Sequence, residues 1–259
     1  MLKGLYTAYT GMVNEQNRMD IMTNNLANAS TVGYKKEGST SQSFEDILTV
    51  KIKDSTVGEK LAQPLGVKNP GVKIGENYVD FGQGSFRITN NPYDLALSGK
   101  GFFAIEFTNK AGETSTKYTR AGQFTLNKEG YLVTQEGDYV LDVNDKRIRL
   151  DTATDASVLE DGTIEQNGRK VAQIQITDFE DYDYLEKYGE TYYDALKGAT
   201  EKPAQMQVRS GYLEMSNVSV VSEMVNMISI TRAYESNQKI LQTYDSSLEI
   251  AVNQLGRVQ

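Results

Sequence analysis

Three local patterns in the chain have residue types and spacing that could carry chemistry. Gly99-Lys-Gly101-Phe-Phe-Ala104 matches a dinucleotide fingerprint, whose glycines let the backbone approach a pyrophosphate at a helix N-terminus. The residues Phe102-Phe-Ala-Ile-Glu-Phe107 read as a strand, however, so a glycine turn between strands accounts for the match and no cofactor is expected. Ser236-Asn-Gln-Lys239 has the spacing in which a lysine can activate a serine, but the accompanying Lys-Thr-Gly and Ser-Asp-Asn elements are absent, leaving a polar helix face. The acidic run Asp178, Glu180, Asp181 and Asp183 offers oxygen ligands for calcium, yet it lacks the central Gly and distal Glu of a calcium loop. It reads as a solvated acidic loop.

Composition removes most other enzymatic chemistry. The 259 residues include no Cys, no His and no Trp, so disulfides, thiolates, zinc sites built on Cys or His, and Ser-His or Cys-His pairs are excluded. No catalytic, cofactor-binding or metal-ligating residue is assigned, and the chain is read as a non-enzyme. Lys plus Arg number 27 against 35 Asp plus Glu, a net charge of −8, which argues against a nucleic-acid partner because phosphate binding needs a basic face. The lysine doublet Lys35-Lys36 is too small to change that. No apolar run approaches the roughly 20 residues of a membrane helix, so membrane insertion is not expected, nor is a cleavable secretory signal.

The elements that would position any site fall into three parts. All four Pro (64, 70, 92 and 203) lie in the middle, and Tyr212 to Leu255 contains neither Pro nor Gly, so long helices are expected at the two ends. At the N-terminus Leu2, Leu5, Tyr9, Met12, Met19 and Leu26 recur at heptad steps, with Gln16 and Thr23 as polar members. At the C-terminus Met227, Ile230, Tyr234, Asn237, Leu241, Tyr244, Leu248, Ala251, Leu255 and Val258 do the same, interrupted only by Asn237, which would fix helix register. A helix from about Ser216 to Leu255 would be on the order of 60 Å long. Two arrangements fit these seams: a hairpin of two helices within the chain, or helices that meet partners in other copies. Asn24 to Lys36, rich in Asn and Gly, terminates the first helix and sets how the chain leaves it.

Between about Tyr78 and Arg209 short apolar runs alternate with turn signals such as Glu129-Gly130, Glu136-Gly137, Asp161-Gly162 and Asn167-Gly168. Helices do not alternate with these strands, which rejects an α/β barrel in favour of an antiparallel β domain. The expected class is α+β: long terminal heptad helices pairing as a coiled coil around a central antiparallel all-β domain. The expected divisions are an N-terminal helix and turn at 1–38, an extended connector at 39–77, the β domain at 78–210 and a C-terminal helix at 211–259.

The run from Asn24 to Lys36 resembles the N-terminal signature of bacterial flagellar rod and hook proteins, an Asn-x-x-Asn-x-x-Thr-x-Gly-Phe/Tyr-Lys/Arg pattern matched here by Asn25, Asn28, Thr31, Gly33, Tyr34 and Lys35. The stretch from Gly211 to Asn237 is similar to the C-terminal signature of that family, through Gly211, Leu213, Glu214, Ser216, Asn217, Val218, Glu223, Met224, Arg232, Ala233, Tyr234, Glu235 and Asn237. Gly82-Gln-Gly-Ser85, Asp94 to Phe103 and Tyr118 to Phe124 resemble the β domain of the larger rod proteins and the hook protein. The resemblance implies a structural subunit of the basal-body drive shaft that passes the flagellar export apparatus uncleaved, assembles helically with its own copies, and meets other rod proteins and the hook protein. The hook protein has additional β domains and the small rod proteins have none, which leaves a large rod protein. Glu223-Met-Val-Asn-Met-Ile228 favours the distal over the proximal rod, and the connector leaves both open. A reading from another class is a wall-associated β-domain protein that binds or hydrolyses carbohydrate through the acidic loop at Asp178 to Asp183.

Overall fold

The computed structural model describes residues 2–52, 62–110, 112–154 and 156–255. The final seam position, Val258, lies outside the described residues, as do the side chains of Leu2 and Leu255. Contacts divide the chain into two units: Met1–Leu26, Glu37–Asp80 and Val220–Gln259 form one, and Ala27–Lys36 with Phe81–Ser219 form the other.

The first unit holds both long helices. Helix α1 spans Leu2–Ala27 and α2 spans Val220–Ile250, followed by a π-wound turn at Ala251–Leu255. At 1.5 Å per residue the 31 residues of α2 extend about 46 Å. The helix begins at Val220, not near Ser216, because the preceding residues are held otherwise: Val218 N donates to Ser216 Oγ at 3.2 Å, and Asn217 Oδ1 accepts from Lys36 N at 2.8 Å.

The described residues of 39–77, a stretch expected as an extended connector, are organised largely as strands. These are β1 (Lys36–Ser43), β2 (Ile47–Ile52), β3 (Ala62–Lys68) and β4 (Val72–Asp80), with β1 paired to β4 and β2 antiparallel to β3. The strand pattern is weak in the sequence because neither pair buries one face consistently: β4 alternates for three residues and then stays exposed over Gly75 to Tyr78. Alternation is visible only where one face is dry and the other wet.

The second unit is the antiparallel β domain. Its strands are β5 (Phe86–Ile88), β6 (Leu95–Gly99), β7 (Phe102–Thr108), β8 (Thr114–Thr119), β9 (Phe124–Leu126), β10 (Leu132–Thr134), β11 (Tyr139–Val140), β12 (Ala156–Val158), β13 (Thr163–Gln166), β14 (Arg169–Gln173), β15 (Ile176–Phe179), β16 (Leu185–Tyr188), β17 (Tyr192–Ala195), β18 (Glu201–Pro203), β19 (Met206–Ser210) and β20 (Tyr212–Glu214). The main sheet runs β16-β17-β8-β7-β11-β10-β9, with β15 joining β7 and β18. Strands β12, β13 and β14 form a meander, β19 pairs with β6, and β20 pairs with β5. The Asn167-Gly168 signal is a two-residue hairpin loop with φ of 52° and 71°, the paired left-handed conformation that asks for such residues.

Leu95, Leu97, Phe103, Ile105, Phe124 and Leu132 are no more than 1% exposed and form the centre of the core. A second layer is aromatic, with Phe102 packed edge-on against Phe81 and Tyr182 and tilted against Phe179 and Tyr193. β20 ties residues 211–214 to this domain, and residues 27–36 fold with it, so part of each signature segment belongs to the β unit.

Candidate assembly site

Within the helical unit, the C-terminal heptad positions make the shielded stripe of α2. Ile230 is 2% exposed, and Met227, Tyr234, Asn237, Leu241, Tyr244, Leu248 and Ala251 are half-buried. What they meet on α1 is a face rotated from the heptad expectation. Gly4 lies against the Tyr244 ring and hydroxyl, where an added Cβ would overlap them, and a Cβ at Gly11 would sit 3.0 Å from Asn237 Nδ2. The two glycines are seven residues apart and their partners seven apart in the opposite sense, so the helices run antiparallel here. Glycine permits this close approach because nothing stands between the backbone and the facing side chain.

The α1 positions Leu5, Met12, Met19 and Leu26 are half-buried, while Tyr9 is 51% exposed. The buried side chains are instead Ala8, Thr10, Asn14 and Asn25. On the β side Thr7 Oγ1 donates to Pro70 O at 3.1 Å, and Asn14 Nδ2 donates to Ser41 Oγ at 3.1 Å. Polar residues thus hold α1 to the strand pairs, which an apolar-periodicity argument could not detect.

The same unit leaves apolar surface uncovered. Val221, Met224, Val225 and Ile228, spaced i, i+3, i+4 and i+7, form a second stripe on α2 with exposures of 72%, 49%, 58% and 53%. A groove of about 510 Å³ runs along it between Met224, Met227, Ile228, Thr231, Arg232 and Glu235. Leu48, Leu65 and Val67 on the β2–β3 pair are each more than 60% exposed. Beside that pair, Tyr6, Phe44, Ile47 and Pro70 line a groove of about 720 Å³ rimmed by Lys68 and Lys73.

The signature turn is built from hydrogen bonds, each with a definite role. In the helical unit, buried Asn25 bonds the backbone of Glu37 as a second strand would: Nδ2 donates to Glu37 O at 2.7 Å, and Oδ1 accepts from Glu37 N at 2.9 Å. In the β unit, Thr31 N and Oγ1 donate to Asn28 O and Oδ1 at 3.1 and 3.0 Å. Gly33 has φ of 71°, and a Cβ there would overlap the backbone of Ala121. Tyr34 is fully buried with the Lys187 ammonium 4.4 Å from its ring centre.

Lys35 is also fully buried, its ammonium donating to Glu214 Oε1 at 2.5 Å and to Gly82 O at 2.8 Å. The Glu214 carboxylate further accepts from Gly84 N at 3.0 Å and from Arg120 Nη1 at 3.3 Å. Arg120 Nη2 donates to Gly99 O at 2.8 Å, and the guanidinium lies 5.3 Å from the centre of the Phe102 ring. The sequence presented Arg120 and Glu214 as parts of motifs, without any sign that they share one buried cluster.

The catalytic patterns resolve into structure. Gly99 and Gly101 flank the turn from β6 to β7, both at positive φ, with no helix following. Ser236 and Lys239 lie exposed on α2. Asp178 is buried: burial alone would raise its pKa, but the Tyr182 hydroxyl at 2.7 Å, Lys202 at 3.1 Å and the Phe179 amide at 2.9 Å outweigh it and hold the carboxyl below its ordinary value. Among the described residues no three acidic side chains gather as a metal site, and no helix is long and apolar enough to cross a membrane.

One unit built on two terminal helices that touch, a second built as an antiparallel β domain, and buried structural bonding at the motif residues are the make-up of a scaffold protein. Comparison with known proteins agrees. Residues 5–35 match the family described as flagella basal body rod protein, residues 96–166 the flagellar hook protein FlgE/F/G D1 domain, and residues 209–255 the flagellar basal body rod FlgEFG protein C-terminal family. The chain is 34% identical to the flagellar basal-body rod protein FlgG of Bacillus subtilis (strain 168), over 98% of this chain and 99% of that protein. It is 33% identical to the flagellar basal-body rod protein FlgF of Caulobacter vibrioides (strain ATCC 19089 / CIP 103742 / CB 15), over the full length of both. With the hook-basal body complex protein FlhO of Bacillus subtilis (strain 168) it shares 32% identity, again over the full length of both.

The chain belongs to the flagellar basal-body rod and hook protein family. It is a structural protein of the flagellar basal body and not an enzyme.

Proposed function

We propose that this chain is a distal-rod subunit that assembles helically with its own copies and carries motor torque toward the hook. The observation that carries the reading is the uncovered α2 stripe at Val221, Met224, Val225 and Ile228. A protein that has already shielded one apolar face of α2 and leaves a second in water has a surface suited to a neighbour. Burying such a side chain contributes roughly 1.5 to 3 kcal/mol, so four of them repeated along an axis favour polymerisation. A head-to-tail contact that does not close gives a filament.

In this reading the inner packing of the rod is a coiled coil of α1 and α2, with Leu2, Leu5, Tyr9, Met12, Met19 and Leu26 on one helix. On the other it uses Met227 through Leu255. Tyr9, half outside within one chain, is then a contact to the next subunit, and Asn237 sets register against Gly11. The rod partners are copies of this chain, other rod proteins and the hook protein, reached after passage through the flagellar export apparatus.

The distal assignment rests on Glu223-Met-Val-Asn-Met-Ile228, because relatives named FlgG and FlgF are about equally similar. Expression of the chain in bacteria lacking either the distal or the proximal rod protein tests it. Rescue of swimming in the distal deletion alone is expected, and rescue only in the proximal deletion would reassign the subunit.

A further inference from the structure

The buried cluster of Lys35, Arg120 and Glu214 joins positions 179 and 94 residues apart in sequence and lies wholly within the β unit. Side-chain exposures are 0% for Lys35, 0% for Glu214 and 4% for Arg120. Two cations therefore share one carboxylate in a buried place. Each cation also holds a backbone carbonyl, Gly82 O for Lys35 and Gly99 O for Arg120, so turning away would break that bond as well.

The carboxylate arrives last. Glu214 ends β20, the final strand of the unit, and β20 reaches its place by pairing with β5. Its carbonyl accepts from Gly33 N at 2.9 Å, and Met215 N donates to Ser85 O at 2.8 Å, so the same short segment closes on both the signature turn and the loop before β5. The approach is tight, since a Cβ at Gly84 would collide with Met215 O. A chain with its first 210 residues in place has every other strand of the domain but only the two positive members of the cluster.

We propose that Glu214 is a positioning residue that makes closure of the β unit depend on its last strand, so that the domain stays open until β20 has been delivered. Without the carboxylate, closing the unit would bury two like charges near each other and deprive both of this anion, which favours the open form. With it, three donors converge on one anion and the N-terminal turn is fastened to the C-terminal strand. The device delays folding of a chain that emerges from its N-terminus until the end of the domain is present.

The test uses the full chain. In Glu214→Gln the shape is kept and the charge removed. Hydrogen exchange in β7 and β8 is expected to speed up on the order of 100-fold or more, although neither strand contains Glu214. Replacing all three groups in Lys35→Met/Arg120→Met/Glu214→Met removes the stranded charge and should restore much of that protection. Exchange in Glu214→Gln that changes only near residues 33–36 and 82–84 would reduce the cluster to a local pin and overturn the proposal. A second measurement does not depend on any variant folding. The complete wild-type sequence, followed by spacers of increasing length and a translation-arrest peptide, should generate folding force on the ribosome only once residue 214 has cleared the exit tunnel. Onset of β-unit folding before that point would overturn the proposal as well.

Discussion

Gly11 offers a sharp probe of how α1 and α2 meet, because two effects of opposite sign compete there. Gly11→Leu replaces the poorest ordinary helix former with a good one, which by itself stabilises an α-helix interior by roughly 0.8 kcal/mol. Against this, a Cβ at Gly11 already sits 3.0 Å from Asn237 Nδ2 and 3.5 Å from its Cγ, so the rest of a leucine has no room unless the helices separate. Over-packing of this kind costs about 1 to 3 kcal/mol. The expected net effect is a loss of about 1 kcal/mol in the helical unit. Asn237→Ala removes the obstructing amide, so in that background the same leucine should become neutral or stabilising, giving a coupling of about 1 to 2 kcal/mol. Urea unfolding followed by circular dichroism at 222 nm reads it directly, since both long helices belong to one unit. Stabilisation by Gly11→Leu in both backgrounds, with coupling below about 0.3 kcal/mol, would mean the helices do not touch there.

Two further outcomes follow from the β unit. Gly33→Ala should destabilise it by more than the roughly 1 kcal/mol of a simple left-handed position, because the new Cβ also meets the Ala121 backbone; a loss under about 1 kcal/mol in thermal unfolding would contradict that geometry. Asp178 has its folded pKa lowered, so it contributes stability that is present above the unfolded value near pH 4 and is lost as pH falls through the folded one. Asp178→Asn should therefore be less stable than the parent at neutral pH and converge with it in acid, and a difference that grows on acidification would show the sign to be wrong.

What could be read from the sequence were features with a local cause. The absence of Pro and Gly from Tyr212 to Leu255 permits a long C-terminal helix, and its heptad positions are the shielded stripe, because helical periodicity reports which side is dry. Turn glycines such as Gly130 and Gly168 mark the ends of strands because they adopt positive φ. The packing face of α1 was not legible, since it uses Gly4, Gly11, Thr10 and Asn14, which carry no hydrophobic signal. Nor were the strands β1 to β4, whose mostly exposed faces do not alternate. The Lys35–Glu214 pair is a property of the fold alone, because nothing at either position announces a partner 179 residues away.

The proposed rod needs α2 to have one face satisfied inside the chain and another that neighbours cover. It is tested most directly by Val221→Asp/Val225→Asp in the full chain, because both side chains are more than half exposed and charge there should change the stability of the isolated chain by no more than about 0.5 kcal/mol each. Electron microscopy and sedimentation of concentrated protein should then find parent filaments and a folded variant that stays monomeric. Filaments of the variant equal in number and diameter to those of the parent would show that this stripe of α2 is not the contact between copies.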